Sequence, residues 1–157
     1  MKPFPYQQKS IDEIFESFKV RDRQMYYLPT GGGKTVIFSF VSKRFVKEYR
    51  KKVLIIVHRD ELVGQTTKTL RKIGVTCESI TAEKRKLQHV SDAYVAMVET
   101  LKNRLDNDPD FVKDIGLVIF DEAHIDQFRY FLDFFEGAKL LPCTGTNKQS
   151  IAYVYRS

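Results

Sequence analysis

Two short segments, VLIIV at 53–57 and LVIF at 117–120, contain no polar residue. A strand with one wet face alternates apolar and polar positions. An unbroken apolar run of this length therefore fits a strand covered on both faces, as in parallel sheets flanked by crossover helices. The intervening sequence can supply those helices. Positions 11, 14, 15 and 18 in SIDEIFESF keep helical spacing. Ile37, Val41, Phe45 and Tyr49 form a second stripe, with Lys43, Lys47 and Arg50 outside it. RDELVGQTTKTLRKI reads as a helix, another starts near Glu99, and Phe128, Phe131, Leu132 and Phe135 give one more. QMYYL, VTCESI, AYVAMV and KLLPC read as strands, DNDPD at 106–110 as a surface turn, and IAYVYRS as a last strand or the start of something further. The alternation predicts an α/β domain with a mostly parallel sheet and helices on both faces.

Length and composition agree. The 157 residues, 43% hydrophobic and 29% charged, fit one compact domain over 1–157. No apolar run approaches a membrane span, so no membrane contact is expected. MKPFPYQQKS lacks the apolar core of a signal peptide, which predicts a cytoplasmic chain. Cys77 and Cys143 are too few and too scattered for a disulfide framework or a metal site, and His58, His89 and His124 show no metal-ligand spacing. Charge is unevenly spread. Residues 1–105 carry 21 Lys/Arg against 11 Asp/Glu, whereas 106–136 carry 2 against 9. Half of this is the solvated exterior of amphipathic helices. The rest points to a polyanion on a basic surface and to a magnesium site in the acidic block.

The stretch YLPTGGGKTVIFSF, 27–40, interrupts an apolar segment with three consecutive glycines. Glycine triplets pack poorly, so their use must be one that a side chain would obstruct. Strand, glycine turn, Gly-Lys-Thr and helix form the phosphate-binding arrangement. Without Cβ atoms, the N–H groups of Gly31, Gly32 and Gly33 can surround a phosphate, and the following helix adds its positive end. Lys34 would reach the β- and γ-phosphates of a nucleotide, and the Thr35 hydroxyl would ligate Mg²⁺. The strict pattern has glycine at position 28, where this chain has Leu28.

LVIFDEAH, 117–124, ends a doubly buried strand with two carboxylates. Ligands of parallel sheets sit at that edge. Asp121 would hold Mg²⁺ through water, and Glu122 would orient and deprotonate the attacking water. Adjacent carboxylates repel each other, and a metal beside them supplies a reason for both.

LPTGGGKT with DEAH resembles the superfamily 2 helicases and translocases, in particular the phage, repair and restriction-enzyme motors. The resemblance covers nearly the whole chain and implies the RecA-like P-loop NTPase fold, with ATP and Mg²⁺ as cofactors. It implies a nucleotide-binding run from Thr30 through Gly31, Gly32, Gly33, Lys34 and Thr35, with Lys34, Asp121 and Glu122 catalytic and Thr35 and Asp121 on the metal. PYQQ is similar to the adenine-reading motif, placing Gln7 on the adenine edge, with Phe4 where an arginine often stands. VHRDELVGQT resembles the segment in which Arg59 would contact a nucleic-acid phosphate, and VETLKNRL places Thr100 near the same strand. CTGTN, in which Asn147 replaces the usual proline, implies that Thr144 and Thr146 link the nucleotide to the nucleic acid. His124 would join them in coupling hydrolysis to movement.

Such motors have two RecA-like domains, and nothing in this chain resembles the second. The expected partners are therefore nucleic acid, DNA ahead of RNA, and a second RecA-like domain elsewhere in the full-length protein. Two other readings fit the same residues: a non-catalytic nucleotide-binding regulatory module, and the motor part of a restriction nuclease. Retention of Lys34, Thr35, Asp121 and Glu122 together argues against the first.

Overall fold

A computed structural model describes residues 1–20, 26–27, 33–82, 90–122 and 125–144. Helix α1 spans Pro5–Phe18. It begins six residues before the apolar spacing does, because Pro5 supplies a helical φ at a position that needs no N–H donor. The Gln7 side-chain oxygen accepts the backbone N–H of Phe4 at 2.8 Å, satisfying a donor just ahead of the helix. Strand β1 (Tyr26–Tyr27) precedes the glycine run, and α2 (Lys34–Tyr49) follows it. Then come β2 (Lys52–Val57), α3 (Asp60–Lys72), β3 (Cys77–Ile80), β4 (Ala93–Met97) and α4 (Val98–Asn107). β5 (Ile115–Asp121), α5 (Ile125–Leu132) and β6 (Lys139–Thr144) complete the described chain.

The six strands form one sheet in the order β1-β6-β5-β2-β4-β3, and every pairing is parallel. Successive residues of the central strands face opposite layers, as the pleat requires. Val53, Ile55, Val57, Leu117 and Ile119 pack with Ile14, Phe38, Val41 and Leu70 of the first three helices. Leu54, Ile56, Val118 and Phe120 pack with Leu101, Phe111 and Phe131 on the other side. Both apolar runs are thus covered on both faces, and the domain has three layers.

The expected turn at 106–110 is corrected. Helix α4 runs through Asn107, ends at its C-cap Asp108, and a 3₁₀ segment occupies Pro109–Asp114. Phe111 anchors that segment, 2% exposed and edge-on to Tyr94 with ring centroids 5.0 Å apart. The density of Asp and Asn concealed a core residue. Cys77 and Cys143 are free and buried. Among the described residues, no helix is long and apolar enough to cross a membrane.

Candidate nucleotide and nucleic-acid site

Parallel strands put all their C-terminal ends on one edge, and the candidate residues follow those ends. Gly33 is the N-cap of α2 in a left-handed conformation, φ 80°. A Cβ there would lie 2.1 Å from the Gln7 side-chain nitrogen. Backbone conformation and space both demand glycine. Gln7 itself is 3% exposed, with its oxygen bonded at Phe4 and its nitrogen packed on Gly33. It braces the start of α2 against α1. The Tyr6 hydroxyl lies beside the same glycine, a neighbour that no sequence pattern marked.

Lys34 is the first residue of α2 and reaches across to the end of β5. Its Nζ donates to Glu122 Oε1 at 2.5 Å and lies 3.3 Å from Asp121 Oδ1. Burial works against the charge on Lys34, but the Glu122 hydrogen bond and the attraction of both carboxylates outweigh it, so its pKa is raised. A raised lysine pKa means that the ion pair contributes fully below the ordinary lysine value. That contribution is lost only as pH climbs through the raised one, so it is intact at neutral pH. Glu122 has φ 54°, left-handed for a residue that is not glycine. That conformation costs roughly 1–2 kcal/mol, which the bond to Lys34 helps to offset.

Asp121 is the last residue of β5 and is buried. Its buried Oδ1 is ion-paired with Lys34 at 3.3 Å and has no other hydrogen-bond partner, so the carboxylate has capacity left for a cation. Thr35, half-buried in the first turn of α2, is the other candidate ligand. One carboxylate and one hydroxyl are few, but Mg²⁺ keeps most of its waters and needs little more from the protein. No group of three or more His, Cys, Asp or Glu arranged for a metal occurs among the described residues. Across the sheet Asp121 is in register with Cys143, whose thiol is pushed well up by burial and then by the Asp121 charge. Cys143 therefore stays protonated and acts as filler. Thr144 follows it, in register with Tyr27, so this strand end lies between the one before the glycine run and the one bearing the carboxylates.

Arg59 and Thr100 follow the ends of β2 and β4, which are neighbours with Val57 in register with Met97. Arg59 is exposed and Thr100 partly so. The sheet thus sets the two nucleic-acid candidates side by side, with β2 directly next to β5 and its carboxylates. The Arg59 Nε donates to His58 Nε2 at 3.3 Å, so His58, dismissed as a metal ligand, orients the arginine. Thr30, Gly31, Gly32, His124 and Thr146 lie outside the described residues.

A three-layer parallel sheet carrying a Gly-Lys-Thr helix start and an Asp-Glu pair on the same edge is the RecA-like motor fold. Solved structures agree. The UvsW helicase of bacteriophage T4 superposes with a TM-score of 0.77 at 18% identity, over 98% of this chain and 57% of that one. A nuclease-deletion mutant of the type ISP restriction-modification enzyme LlaGI, solved with a DNA substrate mimic, gives 0.76 at 20% identity, over 94% of this chain and 18% of that one. At such identities the likeness establishes the fold alone. The family model described as Type III restriction enzyme, res subunit, matches residues 1–149, and the chain belongs to that family. A Saccharomyces cerevisiae protein described as "Putative ATP-dependent helicase IRC3" is 37% identical over 146 residues. The match covers 85% of this chain and 21% of IRC3, so the chain spans about a fifth of that relative's length.

Proposed function

We propose that this domain is the ATP-binding half of a superfamily 2 helicase or translocase, hydrolysing ATP to move on DNA. The observation that carries the reading is the convergence of Lys34, Asp121 and Glu122 beside Gly33 on one sheet edge. Four groups of different chemistry meet there: a glycine start to a helix, a cation for phosphate, a buried carboxylate for a metal, and a second carboxylate for a proton. The glycine run and the N-terminus of α2 would bind the phosphates, Lys34 would neutralise their charge, and Asp121 with Thr35 would hold Mg²⁺. When bound, the metal would supply neutralisation of phosphate charge. Glu122 would take the proton of the attacking water at its carboxylate. Arg59 and Thr100 would contact the nucleic-acid backbone. The second reading, motor part of a restriction enzyme, is favoured by the family match over 1–149.

Calorimetric titration with ATP and Mg²⁺ tests the nucleotide site. Lys34→Ala is expected to weaken binding roughly ten- to a hundredfold, the range for losing a hydrogen bond to a charged group. Equal affinity in the variant and the parent would sink the phosphate assignment. Nucleic acid has its own measurement. Arg59→Ala is expected to flatten the salt dependence of single-strand binding, changing the log–log slope by about 0.7 for one lost phosphate contact. An unchanged slope in a fluorescence titration would return Arg59 to an ordinary surface charge.

A further inference from the structure

We propose that the chain carries a second ligand site, on the sheet edge away from Lys34, which takes a small phosphate ester such as a mononucleotide. A pocket of about 480 Å³ opens there, where β2, β4 and β5 begin. That volume suits a small ligand. Arg50 enters it from the end of α2, Lys51 and Lys52 from the start of β2, Asp92 from the approach to β4, and Lys113 and Asp114 from the 3₁₀ segment before β5. The six residues of β2 separate this pocket from the catalytic edge by roughly 20 Å. The proposal therefore does not depend on how that edge is read.

The backbone around the pocket is unusual. Arg50 caps α2 with φ 55°, a left-handed position where helices ordinarily place glycine. β2 and β5 shift register between Lys52 and Val53, which pair with Ile115 and Leu117, so Gly116 is an extra residue in β5. Such bulges are rare between parallel strands and serve to re-aim side chains. The Lys51 stem lies across this one. A Cβ on Gly116 would stand 2.6 Å from Lys51 Cβ and 2.8 Å from Lys51 Cδ, so the glycine fixes the course of the lysine. Lys52 Nζ donates to the Ser91 carbonyl and ties the start of β2 to the approach to β4. A left-handed arginine and a bulge at one pocket are outliers of the kind that mark ligand sites.

The charges name the ligand. Arg50, Lys51, Asp92 and Asp114 are exposed, and among the described residues none of the four is ion-paired. Lys113 pairs with Asp110 at 3.1 Å, but both side chains are about three-quarters exposed, so that pair gives way readily. Cations and carboxylates that share a pocket without pairing suit a ligand carrying both complements. A phosphate would take Arg50, Lys51 and Lys113, and hydroxyl or amino donors would take Asp92 and Asp114. A nucleotide has that composition. A nucleic-acid strand would set a run of phosphates against both carboxylates, which disfavours it here.

The test is an NMR titration of the isotope-labelled chain with AMP, without divalent metal, followed at the amides of Lys51, Gly116 and Lys113. Saturating shifts at those amides are expected with AMP, weaker ones with inorganic phosphate, and none with adenosine. Lys34→Ala is expected to leave them in place, so failure of the site at the other edge is a separate result. Arg50→Gly keeps the left-handed backbone and removes the guanidinium, while Lys51→Ala removes the ammonium. Each is expected to weaken AMP about three- to fivefold, the scale of a solvent-screened charge pair. Asp114→Asn is expected to act in opposite directions, tightening inorganic phosphate by relieving repulsion and weakening AMP by losing a charged acceptor. Shifts confined to the start of α2, an equal response to adenosine, or unchanged affinity in both cation variants would each overturn the proposal. So would tighter binding of single-stranded oligothymidylate than of AMP, which would make the pocket part of a nucleic-acid surface.

Discussion

Glu122→Gln is expected to lower ATP turnover by about 10²–10⁴-fold in a motor assembled from this domain and the second RecA-like domain proposed to complete it, the range for a lost general base. The carboxamide keeps the shape of the side chain and an oxygen that can accept from Lys34, but it cannot take a proton from water. Its location supports the assignment. Glu122 follows the buried end of β5, one residue beyond the proposed metal-binding carboxylate, so the backbone fixes its distance from the phosphates. The left-handed turn at φ 54° gives its side chain a course that strand continuation would not. The measurement is steady-state phosphate release with and without single-stranded DNA, together with nucleotide affinity in each protein. Binding that is retained or tightened while turnover collapses is the expected pattern. Turnover within threefold of the parent would mean that another group takes the proton, and Glu122 would keep only its bond to Lys34.

The sheet was the most legible part of the chain. VLIIV and LVIF could be read because a strand buried on both faces has no reason to carry a polar residue, and both lie at the centre of the sheet. The partnership of Lys34 with Asp121 and Glu122 was legible as a class, through the glycine turn and the paired carboxylates, but not as an ion pair. It joins residues 88 positions apart, and only the folded sheet brings them to one edge. What stayed hidden depends on three-dimensional packing. Gln7 stands in the sequence as the residue that the resemblance places on the adenine edge. In the fold it is buried against Gly33, because α1 starts at Pro5 and lays its first turn on the N-terminus of α2. His58 is a lone histidine by spacing, and its role beside Arg59 depends on where β2 ends. Phe111 was masked by its acidic neighbours, since composition averages over a window and burial acts on single side chains.

The 157 residues alone are expected to bind nucleotide, to hydrolyse it barely above background, and to leave a duplex unseparated. The charge balance at the site gives the physical reason. Two carboxylates, Asp121 and Glu122, already share the Lys34 ammonium. A transition state that spreads additional negative charge over the transferred phosphoryl group requires a further cation aimed at it. An arginine delivered from a second body supplies roughly 10³–10⁵ in rate in phosphoryl-transfer enzymes. Movement adds a geometric requirement. The candidate nucleic-acid residues, Arg59 and Thr100, sit on one rigid sheet edge, and stepping along a strand takes two bodies whose separation changes with nucleotide state. Adding the second RecA-like half, in trans or in cis, is expected to restore turnover and to make it responsive to nucleic acid. The assay is ATP turnover by the purified domain, by the domain with that half, and by each with single-stranded DNA. Robust DNA-stimulated turnover by the domain alone, abolished by Glu122→Gln, would show that copies of the domain supply the missing cation to one another. Turnover that is weak alone and strong in combination would place the missing cation on the second body.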